Sequence, residues 1–217
     1  MLACTAFVAS HFIMSHPMRD GLVARFGTGG FLGLYSLVAA IFLGLMIWAY
    51  MSIPSSAPYW GAGRGIWDSA TLVMLVASIL YVGSNIRNPA LPNPKAAERD
   101  IPPPHGVFRI TRHPMMWSFA LWALVHIMIA PRIDNFILMG SIIFLALVGA
   151  HMQDRKKERL LGDAWRQWKS ATSFIPFGRG LAAPGWIAFV GGILLWLLAT
   201  WLHAPLGAPE AGIWSYL

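Results

Sequence analysis

Six apolar runs, each close to the length of a membrane-crossing helix, constrain this chain more than any other feature. They cover approximately Met1–Met14, Phe31–Met51, Ile66–Ile86, Met115–Ala130, Ile133–Met152 and Pro184–His203. A helix rising about 1.5 Å per residue needs about 20 mostly apolar residues to cross about 30 Å of hydrocarbon. The second, third, fifth and sixth runs meet that length, and the first and fourth are short. Pro131-Arg132 separates the fourth from the fifth and predicts a tight helical hairpin. Hydrophobic residues make up 57% of the chain and charged ones 12%, about half the charged share of a soluble domain. This excludes a disordered chain, a nucleic-acid-binding tail and an ordinary cytosolic enzyme. The expected fold class is all-α, a polytopic membrane helical bundle of about six transmembrane helices. Residues 1–217 are expected to form a single integral membrane domain, with cytoplasmic loops 87–114 and 152–182. Its expected partners are the lipid bilayer and a lipophilic small-molecule substrate, with no nucleic acid.

Basic residues supply an orientation. Loops one, three and five hold 14 of the 16 Lys and Arg, and the opposite side holds Arg64 and Arg132. Positive charge concentrates on the cytoplasmic side of membrane proteins, so both termini are expected to be periplasmic, in a bacterial inner membrane. The first run lacks a basic n-region and reads as a retained helix rather than a signal peptide. Trp60, Trp67, Trp201, Trp214 and Tyr216 then mark the outer interface, and Trp165, Trp168 and Trp186 the inner one.

The loop from Arg87 to Arg112 is rich in proline, including Leu91-Pro92, Asn93-Pro94 and Pro102-Pro103-Pro104. Proline fixes φ and removes a donor, so this loop is expected to be extended and stiff. The stretch Asp154 to Trp168 either continues the fifth helix or forms an interfacial one, with Leu160, Leu161, Trp165 and Trp168 facing the headgroups. Both loops are candidates to close over a site that opens to the cytoplasm.

Seven histidines carry the chemical information. An ionisable group inside a span is costly and marks a candidate site, although a neutral imidazole also serves as interhelical glue. His11 and His126 lie in different spans and could supply two imidazoles to one iron. The single cysteine, Cys4, excludes an internal disulfide and any cysteine-rich metal or iron–sulfur site. By depth, His126 lies about 18 Å inward from Met115. His11 matches that depth only if the first helix runs on towards Asp20; otherwise it pairs better with His113. In the string Arg109-Ile-Thr-Arg-His-Pro-Met115, His113 is a base-capable group at a helix start. Arg109 and Arg112 suit an anionic cofactor group, because a guanidinium binds carboxylates bidentately.

The stretch Gly106-Val-Phe-Arg-Ile-Thr-Arg-His-Pro-Met115 with Leu121-Trp-Ala-Leu-Val-His126 resembles the core of the NnrU domain. So do Ala9-Ser-His11, Asp154-Arg-Lys-Lys, Leu160-Leu-Gly, Trp165 and Thr172-Ser-Phe-Ile-Pro-Phe177. The last of these is similar to the zeta-carotene isomerase branch of that family. The resemblance implies a haem b enzyme that turns a central cis double bond of zeta-carotene or a related polyene to trans, without net redox change. It implies His11 and His126 as catalytic, iron-ligating residues, with His113 in reserve and Arg109 and Arg112 beside the cofactor. NnrU proteins are also linked by name to nitrite and nitric oxide metabolism, so a non-catalytic haem-binding membrane protein is an alternative. A more distant resemblance is to isoprenylcysteine-type membrane methyltransferases. That one implies S-adenosylmethionine near His113, Arg155, Glu158 and Trp165, although the adjacent Glu-Glu of that family reads Lys157-Glu158 here.

Overall fold

A computed structural model describes residues 1–91 and 101–217. Leu91-Pro92, Asn93-Pro94, Lys95 and Arg99 of the sequence analysis therefore lie wholly or partly outside the described residues. The described chain is helical, with no strand: α1 Leu2–Ser15, α2 Arg19–Ser52, α3 Arg64–Gly83, α4 Pro114–Ile129, α5 Ile133–Leu161, α6 Asp163–Ala171 and α7 Trp186–Trp201. Short 3-10 turns cover Gly106–Arg109 and Gly212–Tyr216. Helices α2, α3 and α5 are long and apolar enough to cross a bilayer, and α1, α4 and α7 are shorter apolar helices. This is a helical membrane bundle.

Helix α2 begins 12 residues before the apolar run at Phe31, because its first turns are polar. Gly27, at φ 69 and ψ 171, kinks it. Only glycine adopts that conformation without a Cβ penalty. Helix α1 does not run on to Asp20. It stops at Ser15, and a turn at His16–Met18 leads into α2. Helix α5 continues past Met152 to Leu161, where Gly162 at φ 56 ends it and starts α6. Both readings of the Asp154–Trp168 stretch are thus partly realised. Pro114 begins α4, where its missing N–H costs no helical bond. The hairpin at Pro131-Arg132 joins α4 to α5, and Arg132 donates to the Tyr50 hydroxyl at 2.8 Å.

Helix α3 packs between α4 and α7, α5 packs on α4, and α1 bridges α2 and α5. The α3–α7 seam is close because small residues line it. A Cβ on Gly192 would stand 2.5 Å from Ile79 Cα, and one on Gly83 would stand 2.4 Å from Val107 Cγ1. Small residues let helices approach where lipid gives no hydrophobic drive to associate. Gly192→Ala is expected to separate α3 from α7 at a cost of about 1–3 kcal/mol, the usual scale of overpacking. A lower thermal midpoint in detergent than that of Gly29→Ala, where a Cβ meets nothing, checks this.

The two long loops meet each other at the end of the bundle that carries most of the basic residues. Val107, Phe108 and Ile110 pack with Trp165, Trp168 and Leu80 into a buried core. Trp165 is fully buried and Trp168 nearly so. These two indoles therefore do not mark a lipid interface. Their helix is amphipathic, but its apolar face meets protein instead of headgroups. Trp186 and Leu160 are exposed, as an interface requires.

Candidate functional site

The Arg-His-Pro string is held by backbone first. Arg112 N–H donates to Ser173 O at 2.8 Å, and Phe177 N–H to Ile110 O at 2.9 Å. The Thr111 hydroxyl and the Trp117 indole N–H both donate to Phe174 O, at 2.7 and 2.8 Å. This places Arg112 and His113 over α5. Arg112 Nε lies 2.8 Å from Asp154 Oδ2, and His113 Nε2 lies 3.0 Å from Asp154 Oδ1. The His113 side chain is fully buried, and its Nδ1 has no partner among the described residues. Burial alone would raise the Asp154 carboxyl. The hydrogen bond and charge of His113, with the Arg112 guanidinium, outweigh it and hold Asp154 below the usual carboxylate range. Asp154 is the residue that sequence reasoning missed: nothing in the sequence marks it as the shared partner of Arg112 and His113.

This arrangement is a clamp between loop and helix. Arg112, expected beside an anionic cofactor, spends its guanidinium on Asp154. Arg109 is exposed on the 3-10 turn. His113 does not meet His11. The residues implied for a methyl donor are similarly occupied or dispersed: Trp165 is core, Glu158 pairs with Lys169 at 3.0 Å, and Arg155 is exposed.

A candidate binding cavity lies elsewhere, between α1, α2, α4 and α5. It is a cavity of about 570 Å³, within the usual ~300–1,000 Å³ of small-molecule sites. Its walls are mainly apolar and aromatic, with Phe12, Phe31, Tyr35, Phe119 and Trp122 among them. Along α5 it runs from Ile142 to Lys156, about 21 Å at about 1.5 Å per residue. Trp122 lines it. Met14 and Trp117 do not; Met14 is buried and Trp117 packs on Phe174.

His11 lines this cavity, with Phe7 and Tyr35 as ring neighbours at 4.4 and 5.4 Å. Its Nδ1 lies 2.8 Å from Phe7 O. A carbonyl only accepts, so Nδ1 carries the hydrogen and Nε2 keeps its lone pair for a ligand. His126 does the same against Trp122 O at 2.7 Å. Its ring, however, faces His203 at 6.5 Å and Trp122 at 4.5 Å, and it does not line the cavity. Helix α1 ends four residues after His11, while His126 sits near the opposite end of α4. The fold therefore puts His11 in the cavity and His126 beyond its Trp122 wall. Among the described residues, no three His, Cys, Asp or Glu converge as metal donors. A haem needs no such cluster, since one imidazole and an apolar slot suffice. The His11 side of the cavity fits that requirement.

The geometry defines a helical membrane protein with a mainly apolar cavity that His11 lines, with His16 at its charged end. The chain belongs to the NnrU protein family, which matches residues 1–210. No curated protein matches the chain, and no solved structure does.

Proposed function

We propose that this protein is a haem-dependent membrane isomerase that converts a cis double bond of a long polyene, zeta-carotene or a relative of it, to trans. The observation that carries this reading is the elongated aromatic cavity with His11 Nε2 left free. Haem b, when bound, would supply the iron chemistry for the double-bond isomerisation. His11, oriented by the bond from Nδ1 to Phe7 O, would hold the group through Nε2. His126, implied by family resemblance as the second ligand, stands behind Trp122. Phe119 and Trp122 offer flat faces to a conjugated chain. The apolar walls keep water from the site, and the reaction needs none, because substrate and product have the same composition. Purified protein loaded with haem is expected to convert cis zeta-carotene to the trans isomer in lipid, read by chromatography. No conversion by a haem-loaded sample would overturn the reading.

The bundle is oriented with its basic end in the cytoplasm and both termini in the periplasm of a bacterial inner membrane, on the strength of the charge asymmetry. Reporter fusions at Leu217 and within Pro102–Pro104 are expected to report opposite sides. The same side for both would break the six-span topology.

A further inference from the structure

The cavity has a charged mouth that the isomerase reading leaves unused. His16 and Lys156 line the cavity, and both also line a second opening with Arg155, Arg159 and Arg166. The two spaces share His16 and Lys156 as walls, so the apolar cavity adjoins a basic opening at its end. The acids there are already taken: Glu158 pairs with Lys169, and Asp163 with Arg166. Arg155, Lys156 and Arg159 have no carboxylate within ion-pair distance among the described residues. Burial, then Arg19, Lys157 and Arg159, push the Lys156 ammonium down to about 8. Burial, Lys156 and Arg159 likewise lower His16. Both shifts disfavour the charged form, so the standing positive charge of the mouth comes from Arg155, Arg159 and Lys156, beside a slot that water does not favour.

We propose that His16, Lys156 and Arg159 bind the carboxylate or phosphate end of an amphipathic ligand whose apolar body lies in the cavity. Uncompensated cations around a partly buried site are stabilised by an incoming anion, and a guanidinium and an ammonium both donate to its oxygens. The apolar walls then select a ligand with a long or flat hydrocarbon body. Two sources share this chemistry: the carboxylates of a porphyrin, and the phosphate of an anionic lipid in the adjacent leaflet. The anion site is thus at the α1–α2 turn and the end of α5, not at Arg109 and Arg112. This deepens the reading of the same cavity but requires no iron.

The test uses the full chain in neutral detergent and two matched pairs of probes. One pair is metal-free protoporphyrin IX and its dimethyl ester, followed by fluorescence. The other is phosphatidylglycerol and phosphatidylcholine with the same chains, followed by mass spectrometry of the complex. In at least one pair the anionic member should bind about tenfold or more tightly, as two cations near an anion allow. Lys156→Gln/Arg159→Gln should remove that preference, while Arg25→Gln, an exposed cation on α2 outside both openings, should keep it. Preference in the porphyrin pair assigns the site to the cofactor, and preference in the lipid pair assigns it to a lipid. If the double variant does not fold, the wild-type preference and its weakening with salt decide. No preference in either pair, a preference insensitive to salt, or one kept by a folded double variant would overturn the inference. Because neither porphyrin probe holds iron, that failure would leave axial ligation by His11 standing, and failure of His11 ligation would leave this site standing.

Discussion

Asp154→Asn is expected to destabilise the protein by about 3–5 kcal/mol, the scale for removing one partner of a buried ion pair. Asp154 is the single carboxylate shared by Arg112 and His113. The asparagine keeps the size of the side chain but not its charge, and it leaves the Arg112 guanidinium buried without a counter-ion. Because Thr111 on the same loop and Trp117 in the first turn of α4 donate to Phe174 O, the cap of buried indoles should loosen with it. The expected readout is a markedly lower thermal midpoint in detergent. By comparison, breaking the exposed Asp163–Arg166 pair with Arg166→Gln should cost under about 1 kcal/mol. The sign of the pH dependence follows from the depressed carboxyl. Its contribution is fully present above the unfolded value of about 3.9 and is lost as pH falls through the lower folded value. The wild-type midpoint should therefore fall below about pH 4. Asp154→Asn should lack this part of the acid sensitivity, and equal midpoints for the two proteins at neutral pH would contradict the clamp.

The apolar runs made the helices legible, because a spanning helix leaves a hydropathy signal that no other element imitates. The turn at Pro131-Arg132 and the helix start at Pro114 were legible for local reasons: proline breaks a helix interior and suits its first turn. The beginning of α2 was not, since Arg19 to Gly30 helps form one helix without being apolar. Nor was the environment of Trp165 and Trp168. An amphipathic helix has the same pattern whether its apolar face meets headgroups or protein, and only the tertiary fold brings Phe108 against it. The role of Arg112 was hidden for a related reason. A guanidinium suits a ligand carboxylate and an internal one equally, and Asp154 lies 42 residues away. The histidines show the same limit. Their positions in the spans were readable, but which neighbour each ring faces depends on helix rotation, and that separates His11 from His126.

The second large effect concerns His11. Its imidazole is the cavity's only histidine away from the charged mouth, and its free Nε2 is the nitrogen that a metal would take. If His11 holds haem as proposed, removing it would take away that bond without disturbing the Arg112–Asp154–His113 clamp. Titrating haem into purified wild type, His11→Ala and His126→Ala, and recording the Soret band, tests the central claim most directly. The account predicts a ligand-shifted Soret band in wild type, its loss in His11→Ala, and retained haem in His126→Ala. An unchanged band in a folded His11→Ala would contradict it.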